Sequence, residues 1–122
     1  MSWLSVAVSI ISAAFSPSKN QRVAPPAGLK GARISYINQG REGKVVFSQG
    51  LTSFEMYFAL GGGDTLATID VPSASDWSRH TGLPLASRHS ILEFIGQSVA
   101  RDQTTEGRGR YEIHDQYISI HV

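Results

Sequence analysis

Apolar residues recur along this chain with two different periods, and the two divide it between helix and strand. In residues 87–103, Leu92, Ile95 and Val99, joined by Ile91 and Ser98, fall three to four positions apart and share one face of a helix. Arg88, His89, Glu93, Gln97 and Arg101 lie towards the other face. Such a stripe must be covered by a sheet or a second helix, so the long helix is expected to be the centre of a small α+β domain.

Elsewhere the period is two. Residues 33–38 and 44–48 read as strands around the loop 39–43, which carries Gly40 and Gly43 and suits a hairpin. Alternation there is imperfect, because Ile34, Tyr36 and Val46 run out of phase with Ile37, Val45 and Phe47, so both faces are expected to be covered, with the N-terminal helix as the candidate for the second cover. A second hairpin alternates more cleanly: Phe54, Met56, Phe58 and Leu60 lead through Gly61-Gly62-Gly63-Asp64 to Ala67, Ile69 and Val71. If Leu60 pairs with Thr65, these residues meet across one face, and Glu55 then stands opposite Asp70 on the other. A closing hairpin, 111–114 with 117–121, puts Ile113 across from Ile118 and Tyr111 across from Ile120 when His114 faces Tyr117. Between the second hairpin and the long helix, Ser73 and Asp76 at capping-box spacing and Gly82 as a stop predict one or two helical turns, with Trp77 packing them onto the core.

The N-terminal stretch follows a third pattern. Ser2, Ser5, Ser9, Ser12 and Ser16 form a narrow small-polar stripe on a helix that is otherwise apolar, with Trp3, Leu4, Ile10, Ile11 and Phe15 among its residues. A helix so nearly apolar all round is expected to be buried on its own domain, in a subunit interface, or against a membrane surface. Pro17, Pro25, Pro26 and Gly28 then break regular structure. The resulting expectation is an apolar helix at 1–16, a linker at 17–31, and an α+β core at 32–122. That core is an antiparallel sheet of about six strands, arranged as three hairpins and packed against one long helix.

Composition narrows the partners rather than the fold. A chain of 122 residues with 41% hydrophobic residues suits one domain and needs no staple. The net charge of +1 gives no global field to attract nucleic acid or an anionic membrane, and the absence of cysteine removes disulfides and thiolate chemistry. No Lys or Arg precedes Lys19, which argues against a secretory signal, and the apolar run is too short for a transmembrane span. A cytoplasmic location is the favoured expectation.

Candidate chemistry is sparse. Glu55 and Asp70, like charges placed across a sheet, could share a proton or hold a cation, although Arg33, Lys44 or solvent could simply screen them. His89 and Glu93 sit one helical turn apart, which suits two metal ligands and equally an ordinary surface pair. Gly61-Gly62-Gly63-Asp64 lacks the Lys and Ser/Thr of a phosphate loop and joins two strands, so it reads as a turn. Arg108 and Arg110 near Tyr111 and Tyr117 make too narrow a basic surface for a nucleic-acid module. The outward row Tyr57, Arg110, His114 and Tyr117, with Trp3 of the N-terminal helix, instead suggests contact with a protein. The sequence therefore leads to a non-catalytic protein-binding or self-associating domain with no cofactor. A small metal-binding protein or hydrolase-type enzyme using Glu55, Asp70, His89 or Glu93 is the rival.

Overall fold

Period-two alternation folds the first half of the chain into a meander, and the helical stripe then supplies its cover. The computed structural model describes residues 27–104 and 108–122. The helix expected at 1–16 and the linker as far as residue 26 lie outside the described residues. The strands are β1 (Arg33–Gln39), β2 (Glu42–Gln49), β3 (Thr52–Leu60), β4 (Thr65–Asp70), β5 (Arg110–Ile113) and β6 (Tyr117–His121). Between β4 and β5 come the short helix α1 (Trp77–Thr81) and the long helix α2 (Arg88–Gln103), the latter entered through a 3₁₀ turn, Leu85–Ser87.

All strand pairs are antiparallel and form one open sheet in the order β1-β2-β3-β4-β6-β5. The fold is α+β. The chain leaves β4 and runs through α1 and α2, returning at the far edge as β5 before β6 fills the place beside β4. Alternation along each strand assigns the two faces. Val45, Phe47, Phe54, Met56, Phe58, Ala67, Ile69, Ile118 and Ile120 all point inward and are buried. Helix α2 covers them with Ile91, Leu92, Phe94, Ile95 and Val99, contacting β5, β6 and β1. Each such side chain contributes about 1.5–3 kcal/mol when taken fully out of water. One end of the core is aromatic: Phe47 lies 5.2 Å from Phe54, and Phe94 and Trp77 meet these two rings edge-on. Trp77 is fully buried and donates its indole N–H to the Pro84 carbonyl at 3.0 Å, which fixes α1 to the entrance of α2. From within the stretch read as a linker, a 3₁₀ turn at Ala27–Leu29 packs Leu29 into this core.

Two features differ from the sequence pattern. The first hairpin closes tightly through Gly40 and Arg41 rather than through five residues, with Gly40 at φ 76°. Gly43, expected in that loop, is instead a strand position facing Phe58. In the second hairpin Leu60 pairs with Ala67 rather than Thr65, and Phe58 with Ile69 rather than Ala67. The displacement is two residues, so every side chain keeps its face while its cross-strand partner changes. Hydrophobic alternation fixes parity only; the turn selects among registers of equal parity. Here the Gly61 N–H bonds to the Leu66 carbonyl at 2.8 Å, and a Cβ on Gly61 would lie 2.5 Å from the Thr65 carbonyl oxygen. The chain crosses itself too closely there for Leu60 to face Thr65. The consequence for the outer face is that Glu55 does not stand directly across from Asp70.

Candidate functional site

Among the described residues only one face of the sheet is covered, and the outer face carries the chemistry. The register places Ile37 beside Lys44, Lys44 beside Tyr57, and Asp70 beside Tyr117. One step beyond the last β3–β4 pair, Phe58–Ile69, Asp70 comes beside Tyr57. The His114 N–H, bonded to the Tyr117 carbonyl at 2.8 Å, brings His114 to the other flank of Tyr117. A row therefore crosses the sheet: Ile37, Lys44, Tyr57, Asp70, Tyr117, His114. Ile37, Tyr57 and Tyr117 are 43%, 45% and 40% exposed, high for residues of their size on a sheet.

Three expected site residues of this row, Tyr57, His114 and Tyr117, are thus brought together with Asp70. The Tyr57 hydroxyl donates to Glu42, and this bond, together with partial desolvation and the negative charges of Glu42 and Asp70, raises its pKa above the usual phenol value. His114 stacks on Tyr117 with ring centroids 4.3 Å apart and planes 19° from parallel. Arg110 stands at the edge beside His121 and donates to the Val122 carbonyl at 3.2 Å. Trp3 lies outside the described residues.

Beside Asp70 the sheet opens. Pairing between β3 and β4 stops at Phe58–Ile69: the Val71 N–H is directed to the β6 side, where it bonds to the Gln116 carbonyl at 3.0 Å, and Pro72 has no N–H to give to β3. Helix α1 fills part of the gap. What remains is an open cleft of about 570 Å³, lined by Glu55, Met56, Tyr57, Asp70, Val71, Pro72, Asp76, Arg79 and His80. Its charges are mostly neutralised in place. Glu55 accepts from Lys44 at 3.0 Å, and Arg79 pairs with Asp76 one helical turn away. Among the described residues the Asp70 carboxylate has neither an ion pair nor a hydrogen bond.

A second cluster lies at the β5–β6 end, where alternation along the closing hairpin puts Glu112, Ser119, His114 and His121 on the outer face with Tyr117 and Arg110. Ser119 is 6% exposed, with its hydroxyl 2.9 Å from His121 Nε2 and 3.5 Å from His114 Nε2. His121 Nδ1 lies 3.4 Å from the Asp64 carbonyl, which assigns the proton to Nδ1 and leaves Nε2 to accept from Ser119. Glu112 Oε1 is 3.7 Å from His114 Nε2 and 3.9 Å from His121 Nε2. Three rows of one hairpin thus bend their side chains towards a common centre, which linear spacing cannot reveal. A hydroxyl beside an imidazole resembles the start of a nucleophile pair, but Ser119 is enclosed by its neighbours, so a substrate could reach it only by displacing them. Among the described residues no group of three or more His, Asp or Glu has the geometry to hold a metal ion. His80 lines the cleft instead and packs 6.5 Å from Phe54.

On α2, His89 and Glu93 lie 3.8 Å apart at the surface, and Glu93 also accepts from the Tyr111 hydroxyl at 2.8 Å. That bond ties β5 to the helix. No helix among the described residues is long and apolar enough to cross a membrane. Comparison with protein-family models, curated proteins and solved structures finds no match to this chain.

Proposed function

We propose that this domain is a non-catalytic protein-binding module whose contact surface is the outer face of the sheet. The observation that carries the reading is the row across that face, where Tyr57 and Tyr117 stand 45% and 40% exposed on either side of Asp70, with His114 stacked beyond. Tyrosine supplies large contact area at little conformational cost and is enriched among residues that dominate binding energy. The sheet scaffold holds the row rigidly, because every strand beneath it is anchored in the core through its inner face. Self-association through the apolar segment 1–16 remains part of the same proposal, as a second contact surface.

The test is capture of a stoichiometric partner by the full chain, compared with a Tyr57→Ser/Tyr117→Ser variant at a temperature where both are fully folded by circular dichroism. Tyr57 gives up its bond to Glu42 and Tyr117 its stacking on His114, so each replacement should cost about 0.2–1 kcal/mol and leave the core intact. Capture by the parent and loss by the variant is the expected result. A partner retained in full by the folded variant would remove the outer face as the contact surface.

A further inference from the structure

The cleft beside the tyrosine row contains one charge that has no counter-ion among the described residues. Of its lining residues, Glu55 is taken by Lys44, and Asp76 and Arg79 satisfy each other. Asp70 is exposed and, among the described residues, unpaired. It stands between two aromatic rings: Tyr57 on the β3 side and Tyr117 on the β6 side. His114 stacks on Tyr117 from the β5 side, and Asp70 lies on its β4 side.

A lone carboxylate flanked by tyrosine rings is complementary to a cation. The carboxylate supplies the counter-charge and accepts the N–H donors, while the rings present their negative faces and exclude water from the pair. We infer that Asp70, between Tyr57 and Tyr117, is the seat for a lysine or arginine side chain of a protein partner. The aliphatic stem of that side chain lies against the exposed Tyr57 and Tyr117 rings, and its head meets Asp70. The inference rests on the outer face being the binding surface and adds the chemical class that it recognises. By alternation alone Asp70 is half of a repelling pair with Glu55. The structure separates the two roles: Glu55 is neutralised by Lys44, and Asp70 is left for an outside cation.

The experiment titrates the full chain, labelled for amide NMR, with hexalysine and with hexaglutamate. Hexalysine should move the amides of Tyr57, Asp70 and Tyr117 saturably, and hexaglutamate should not. Asp70→Asn keeps the shape and removes the charge; it should weaken hexalysine binding about tenfold, as expected for loss of one charge-assisted contact. Asp64→Asn, which removes a charge from the exposed turn, should leave it unchanged. Absence of a saturable shift at these residues, or equal affinity in Asp70→Asn, overturns the cation seat. The two readings separate on the captured partner: one lost by the Tyr57/Tyr117 variant but held in full by Asp70→Asn sinks the cation seat alone, whereas one held by both variants sinks the outer-face surface as well.

Discussion

Single residues here do work that their position in the helical or strand period conceals. Arg88 falls on the polar side of the α2 pattern, yet its side chain is only 15% exposed. Its guanidinium donates to the Pro72 carbonyl at 3.1 and 3.3 Å and to the Asp115 carbonyl at 2.6 Å, with the Asp115 carboxylate 3.7 Å away. Asp115 in turn accepts from the Ala74 N–H at 3.3 Å. One side chain thus joins the start of α2, the loop after β4 and the turn between β5 and β6, which are the segments that hold the cleft open. Replacing it with Met keeps the stem and removes the donors, leaving two carbonyls without them. Arg88→Met should destabilise by about 1.5–3 kcal/mol, the range for hydrogen bonds to a charged group. The urea midpoint measures it, with exposed Arg101→Met as the comparison, whose effect should stay near zero. Equal effects at both positions would mean that the clamp contributes nothing beyond surface charge.

At the scale of elements, agreement between sequence and structure follows which interactions are local. The inward stripe of α2 and the β5–β6 register were legible because each is set within one helix or one short hairpin: Ile113 meets Ile118, and Tyr111 meets Ile120, as the alternation requires. Gly82 ends α1 at φ 75°, as a left-handed stop should. The strand order and the two-residue displacement at β3–β4 were not legible, because both depend on distant chain. The first depends on where the hairpin after α2 docks, and the second on the close crossing at Gly61. Gly96 shows the same division. In the sequence it is merely an unfavourable residue within a helix, but a Cβ there would lie 2.5 Å from the Tyr111 ring, whose hydroxyl is held by Glu93. The ring cannot swing aside without losing that bond, so helix and hairpin touch through a missing side chain. Gly96→Ala gains about 1 kcal/mol of helix propensity but incurs overpacking of about 1–3 kcal/mol. The net expectation is a loss of stability. In the Tyr111→Leu background the same substitution should become neutral or favourable, and a double-mutant cycle from thermal or urea unfolding measures the coupling. Additivity of the two changes would remove the close contact as the reason for glycine.

For the whole molecule, the candidate site was legible as a list of outward residues and not as a place. Tyr57, His114 and Tyr117 were separable as outward-facing by parity alone, whereas their meeting with Asp70, and the opening of the sheet beside it, arise from the order β3-β4-β6-β5 and from the Val71 N–H being directed to the β6 side. The same topology closes the opposite side of the molecule with tyrosine hydroxyls bonded to carboxylates, and this gives the fold a dependence on alkaline pH. Tyr36 on β1 donates to Asp102 on α2 at 2.6 Å. Desolvation, then the Asp102 charge and hydrogen bond, hold its pKa well above the usual phenol value. Tyr111 is raised in the same direction, first by desolvation and then by its bond to Glu93. For a raised acid the folded state retains a proton that the unfolded state has given up. Stability from this source is therefore complete below the unfolded phenol value near pH 10 and is lost as pH rises from there towards the folded value, by up to about 1.4 kcal/mol per pH unit for each such group. Tyr36→Phe removes both the bond and the titration. At pH 8 the parent should exceed Tyr36→Phe by about 1 kcal/mol in urea unfolding, and the gap should narrow at pH 10.5 and again at pH 11. A gap that stays constant or widens with pH would show that the phenol is not held protonated by the fold, and would leave the β1–α2 contact to its apolar packing.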